Sequence, residues 1–212
     1  MPPKKLHATD YHVAWIAPAS DLKLLPSRLM LDEKHDAPEY NTADDDNVYT
    51  CEMLAGHCVV IVTWAPGLTG NVNAGRITGS MFRTFSCLRM DMLLGVGGGV
   101  PRAQPSDDPT QDLHVGDIVV GWPDDGRPAI ATGNAVVRDG ERRDQIRDLC
   151  NGAFCIEMEA AGVDAVRACL VIRGISNSAD SHKDDTWRSY AAGNAAVFAR
   201  ELLSKIPTTS TI

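Results

Sequence analysis

CIEMEAAG (155–162), CLVIRG (169–174) and ISNSADSHKDDTW (175–187) are three nearly adjacent blocks, and their order decides the fold. The first reads as an acidic helix start, with Glu157 and Glu159 suited to the positive end of a helix dipole. The second is too apolar to face water on either side, so it reads as a strand covered on both faces. The third is an abrupt run of hydroxyl, amide, carboxylate and imidazole groups. Chemistry delivered where a doubly covered strand ends belongs at the carboxyl edge of an α/β sheet.

The rest of the chain repeats the pattern. β-rich runs at 12–16, 58–64, 92–96, 117–122, 129–137 and 169–175 are in several cases apolar at consecutive positions. Between them, 72–85, 139–150, 158–168 and 189–206 read as helices, the last with Ala191, Ala195, Phe198 and Leu202 along one face. Such alternation predicts an α/β domain with a largely parallel sheet. Residues 32–47, acidic and poor in apolar side chains, and 103–111, rich in Pro, Ser and Asp, read as exposed loops. No internal repeat, low-complexity tract or interdomain linker interrupts the sequence, so residues 1–212 are read as a single domain.

Composition removes several function classes. The chain carries 20 Lys and Arg against 28 Asp and Glu, a formal charge of −8. That balance repels a nucleic-acid backbone unless the cations gather on one face, so no nucleic-acid partner is expected. The six cysteines, at 51, 58, 87, 150, 155 and 169, form no CxxC pair and have no metal-ligand spacing to the histidines. They read as reduced core residues of a cytoplasmic protein, with no metal. The amino terminus lacks an apolar signal region, and no run of about 18 apolar residues occurs, so neither secretion nor a membrane role is expected.

Six blocks taken in order carry a family resemblance: GNVNAG (70–75), LLGVGGGVP (93–101), VGDIVV (115–120), ATGNAVVRD (131–139), CIEMEAAG and VIRGISNSADSHKDDTW (171–187). Together they resemble the nucleoside phosphorylase superfamily of purine and uridine phosphorylases and methylthioadenosine nucleosidases. The resemblance implies a three-layer α/β/α fold around a mixed, mostly parallel, partly closed sheet. It also implies a homo-oligomer, a dimer first, and cleavage of a ribosyl N-glycosidic bond in a small-molecule substrate, with no cofactor beyond phosphate as a co-substrate.

The motifs also have readings of their own. Gly97 and Gly98 let backbone approach a ligand closely, or simply make a tight turn. Residues 70–75, with Asn73, precede a helix start, where unpaired N–H groups favour phosphate or a hydroxyl. By resemblance Glu159 accepts hydrogen bonds from the ribose hydroxyls, with Met158 under the sugar and Gly97, Gly98 and Asn73 near phosphate or water. Without that resemblance, the glutamates merely suit a helix amino terminus.

The chain also departs from the family pattern. Where adenine-specific members carry a proton-donating Asp, this chain has Asn177, an amide that donates a hydrogen bond but not a proton. Some members that prefer 6-oxopurines use Asn there, so the resemblance still implies glycosidic cleavage, with a 6-oxopurine nucleoside as the substrate. Asp180 and His182 are the nearest substitutes, with Ser176 beside them, while Asp21 is the one carboxylate near the place of the nucleosidases' water-activating Glu. Val136 stands where nucleosidases stack a Phe on the purine. Residues 121–127 replace an insertion of several tens of residues, so the domain reads as shortened there. Trp64 and Trp122, each where a strand runs out, are expected to line the cavity.

Those departures keep two alternatives open. One is a repurposed member that holds a hydrophobic non-nucleoside metabolite and works by orientation, as an isomerase or an intramolecular Diels–Alder catalyst does. The other is a non-catalytic nucleoside-binding module.

Overall fold

The computed structural model describes residues 4–18, 20–121 and 129–208. Among them, ten strands and five α-helices follow in the order β1 (Lys4–Lys5), β2 (Val13–Ile16), α1 (Ser20–Leu29), β3 (Glu33–Asp36), β4 (Tyr49–Leu54), β5 (His57–Val62), α2 (Asn71–Thr84), β6 (Met90–Gly99), β7 (Ile118–Gly121), β8 (Ile130–Thr132), α3 (Gly140–Leu149), β9 (Cys155–Glu157), α4 (Ala160–Asp164), β10 (Leu170–Asn177) and α5 (Arg188–Ser204).

The consecutive apolar residues of β2, β5, β6 and β10 are explained by the two sides of one sheet. In β2, Val13 and Trp15 point into a core shared with α5, while Ala14 and Ile16 point into a core shared with α2. Met92 and Leu94 join the first core and Leu93 the second, so alternate positions feed opposite layers. The result is a three-layer α/β/α arrangement. The sheet runs β1-β3-β4-β5-β2-β6-β10-β7, with β9 pairing both β6 and β8. Its centre, β5-β2-β6-β10, is parallel throughout, and β4 and β7 are antiparallel to it.

Strand β6 is long enough to serve two partners. It pairs parallel to β10 along most of its length, and its last two residues, Gly98 and Gly99, pair antiparallel to β9. That fork curls the sheet and brings the ends of β6, β9 and β10 together. Helix α5 lies close across β10, because a Cβ on Gly174 would stand 2.0 Å from the Ala191 carbonyl oxygen. Its buried seam is Ala191, Ala195, Ala199 and Leu203 rather than the expected line through Phe198 and Leu202, since small residues are what let the helix approach.

Local expectations shift in three places. Residues 155–157, expected to begin a helix, form strand β9, and the expected helix over 158–168 shrinks to the five residues of α4. Pairing with β6 and β8 outweighs local helix preference there. The expected strand over 129–137 ends at Thr132. Residues 32–47, expected to be exposed loop, contain β3 and bury His35, Asp45 and Asn47. Asp45 is tolerated because its carboxylate accepts from Tyr49 Oη at 2.6 Å and Thr84 Oγ1 at 2.5 Å. Among the described residues no helix is long and apolar enough to cross a membrane.

Candidate active site

The forked sheet edge opens into a cleft of about 240 Å³, floored by Gly97 and Gly98 and walled by Glu159, Asn177, Val136 and Lys183. The two glycines are the end of strand β6 rather than a turn beyond it. A Cβ on Gly97 would stand 2.2 Å from Cys155 Sγ, and one on Gly98 would stand 2.8 Å from Ala179 Cβ. Their missing side chains therefore let β9 and the turn after β10 close over the strand end.

Glu157 and Glu159, one strand repeat apart, do different jobs. Glu157 is buried, and its carboxylate accepts the backbone N–H groups of Glu159 at 2.9 Å and Ala160 at 3.0 Å. It thus satisfies the start of α4, which has no cap from the Glu159 side chain. From β10, fully buried Arg173 contacts Glu157 Oε2 and lies 3.3 Å from Glu159 Oε2. Burial opposes ionisation of Glu157, but the Arg173 guanidinium and the hydrogen bonds from the two backbone N–H groups hold its carboxyl below the usual range. Among the described residues the Glu159 carboxylate is left with one polar partner, a side-chain exposure of 9% and a place in the cleft wall. Met158 lines the same wall.

Asn177 sits where β10 bulges. Its Oδ1 accepts the Ala179 N–H at 3.0 Å, and its Nδ2 donates to Ser176 Oγ at 2.9 Å. That holds Ala179 at φ 50°, a left-handed conformation, and leaves one Nδ2 hydrogen for the cleft. Ser176 lines the cleft too, donating to the Gly97 carbonyl at 3.4 Å.

Four of the expected residues are placed elsewhere. Asp180 does not reach the cleft: its carboxylate accepts the His182 N–H at 2.9 Å, lies 3.8 Å from Arg143 Nη1 and anchors the turn. His182, with a side chain 91% exposed, lines a separate shallow depression with Asp180 and Trp187. Trp64 is buried in the core with Ala74 and Ile77, not on the cavity wall, because its strand end is covered by α2. Asn73 turns back to donate to the Thr69 carbonyl at 2.8 Å, and Thr69 takes the place in the wall. Asp21 lies in α1, one turn beyond cleft-lining Pro18; nothing is described of its side chain. Trp122 and most of 121–127 lie outside the described residues.

Asn71, rather than Asn73, organises the region. Its Oδ1 accepts the Gly162 N–H at 3.0 Å and the Thr132 hydroxyl at 3.3 Å, tying α2 to α4 and β8. Among the described residues no group of His, Cys, Asp and Glu is arranged to hold a metal.

No family model matches the chain. Its structure is similar to the 5′-methylthioadenosine/S-adenosylhomocysteine nucleosidase of Neisseria meningitidis in complex with methylthio-immucillin-A, with a TM-score of 0.70 at 20% identity, covering 92% of this chain and 99% of that one. It is similar to the futalosine hydrolase of Helicobacter pylori, with a TM-score of 0.68 at 19% identity, covering 92% and 98%. The chain has the fold of the nucleoside phosphorylase superfamily. In sequence it is 26% identical to a nucleotide-binding leucine-rich repeat-like protein of Hyaloscypha variabilis, over 92% of this chain and 29% of that protein. It is 39% identical over 79 residues to the Escherichia coli ATP nucleosidase Cap17, or 35% of this chain and 16% of that protein. The chain thus spans less than a third of the length of these curated relatives.

In this nucleoside phosphorylase fold the described cleft contains groups that sequence reasoning did not single out: Arg138, Lys183, Asp185 and Arg188 in its wall, and Arg173 beneath Glu159. Arg138 and Lys183 lie inside quoted motifs, but nothing in their spacing shows that the loop between β8 and α3 meets the turn after β10. Arg173 gives one signal, a lone charge inside the apolar run CLVIRG, which needs a buried partner.

Proposed function

We propose that the chain is an N-glycosidase-type enzyme that separates a purine base from ribose. The observation that carries the reading is the division of labour between the two glutamates: Glu157 caps α4 and makes the close pair with Arg173, while Glu159 shares that guanidinium through Oε2 alone and, among the described residues, keeps Oε1 for the cleft. Two carboxylate oxygens match a cis-diol, so Glu159 grips the ribose 2′ and 3′ hydroxyls while Met158 packs under the ring. Carboxylate charge close to the sugar stabilises the oxocarbenium-like transition state. The similar proteins support this, since the Neisseria protein and Cap17 are nucleosidases by name and the Helicobacter protein is a hydrolase.

At the base, the free Nδ2 hydrogen of Asn177 donates to one acceptor on the purine edge. An amide suits a 6-oxopurine, whose departure as an anion needs less help than that of adenine. The C1′–N9 bond breaks, the base takes its proton from water, and water or phosphate closes on C1′. The apolar-metabolite reading loses its support with Trp64, which is turned into the core.

The test is direct. Inosine, guanosine, adenosine and methylthioadenosine, and the 5′-triphosphates of the first three, are incubated with the protein, with and without phosphate, and free base and the ribose product are separated chromatographically. Base release that vanishes in Glu159→Gln supports the reading, and no release from any substrate ends it.

A further inference from the structure

Three cations meet in the cleft of a chain whose formal charge is −8, and they come from three separate elements. Arg138 follows β8, Lys183 lies in the turn after β10, and Arg188 begins α5. Asp185 lies 3.5 Å from Arg188 and offsets it, but among the described residues neither Arg138 nor Lys183 has an ion-pair partner. In the same cleft the carboxylates of Glu157 and Glu159 are answered by buried Arg173. Among the described residues the basic wall has only Asp185 to set against its three cations.

Lys183 lies close enough to both arginines to feel their charge, although burial acts on it more strongly. The side chain is half-buried, and burial, with the Arg188 and Arg138 guanidinium groups, pulls its ammonium below the usual lysine range against the opposing pull of Asp185. Helix α5 also starts at this wall with no side-chain cap and no acid in its first turn, so its N–H groups and dipole add to the positive field. An anion of several charges that enters the cleft would relieve all of this.

We infer that Arg138, Lys183 and Arg188 hold the phosphate chain of the substrate, so that the cleft takes a nucleoside 5′-polyphosphate rather than an uncharged nucleoside. The inference rests on the glycosidase reading for the sugar and base. The phosphate chain lies along the basic wall while Glu159 holds the ribose, and the cations neutralise a charge that the acidic chain as a whole would repel.

Binding tests this apart from catalysis. 9-Deazaadenosine and 9-deazainosine, whose carbon–carbon glycosidic bond cannot be cleaved, are titrated calorimetrically as free nucleosides and as 5′-triphosphates into wild type and Arg138→Gln/Lys183→Gln. The triphosphates should bind wild type more tightly than the nucleosides, and the double variant should lose about tenfold of that advantage per cation removed. The advantage should shrink as salt is raised. Equal affinity for nucleoside and triphosphate, or an advantage unchanged in the variant, overturns the inference. Inorganic phosphate alone binding as tightly as the triphosphates also overturns it, because the cations would then serve a free phosphate. Tight triphosphate binding without base release from natural nucleotides would sink the glycosidase reading and leave the phosphate site standing. Base release with no preference for phosphates would do the reverse.

Discussion

Glu157 accepts the backbone N–H of Glu159 at 2.9 Å, so one glutamate of the CIEMEAAG motif builds the turn that presents the other. The pair is separable by mutation. Glu157→Gln leaves buried Arg173 without its close counter-charge and should cost about 3–5 kcal/mol of unfolding free energy, read by chemical denaturation. Glu159→Gln should unfold within about 1 kcal/mol of wild type and lose base release by about a hundredfold or more. Equal destabilisation by both substitutions would show that Glu159 is structural as well.

Asn177→Asp places a carboxyl group at the end of β10 where the cleft opens. Cleavage of adenine nucleosides should rise relative to inosine by about tenfold or more, because a carboxylic acid can deliver a proton to the leaving base. The rate should also acquire an alkaline limb, falling as pH rises through the new group's pKa. A pH profile for both substrates checks it, and an unchanged preference would place base selection elsewhere.

Gly97→Ala puts a methyl group 2.2 Å from the sulfur of fully buried Cys155, so the sulfur or the strand must shift. Overpacking at this fork of the sheet should cost about 1–3 kcal/mol and weaken substrate binding by moving β9. Adding Cys155→Ala removes the obstructing sulfur and should restore part of the loss, a non-additivity that a double-mutant cycle reads directly.

Asp91 in β6 lies 2.6 Å from Arg167, yet burial outweighs that pairing and pushes its carboxyl up to about 6. A folded pKa above the unfolded one means the fold favours the protonated form. That contribution is complete below about pH 4 and is lost as pH rises through about 6. Asp91→Asn mimics the protonated form. The stability of this variant relative to wild type should therefore improve by on the order of 2–3 kcal/mol between pH 4 and pH 7.5. Urea midpoints at the two pH values measure it, and a constant difference would contradict the burial of the charge.

The layers of the fold were legible because consecutive apolar residues in β2, β5, β6 and β10 have one cheap explanation, a strand covered on both sides. Element types failed where a short segment could satisfy two preferences. Cys155–Glu157 looked helical from its acidic start but became a strand once Gly98 and Gly99 offered an edge to pair with. Within the site, Glu159, Asn177, Ser176, Met158, Val136 and the two floor glycines lie around one cleft. Asp180, His182, Asn73 and Trp64 do not. Each is a residue whose type promised chemistry and whose nearest backbone or packing partner claimed it first.

Sequence by itself determined the α/β class, the parallel centre of the sheet and the edge that carries the polar groups, since these follow from hydrophobic period and from where apolar runs stop. Only the tertiary structure decided which carboxylate keeps an oxygen for the cleft, which is spent on a helix start, and that Arg138, Lys183 and Arg188 line one cleft. Those are relations between residues 45–50 positions apart, or between neighbours that differ only in hydrogen-bond partner. Local pattern carries no record of either, because they are settled by how the forked strands pack.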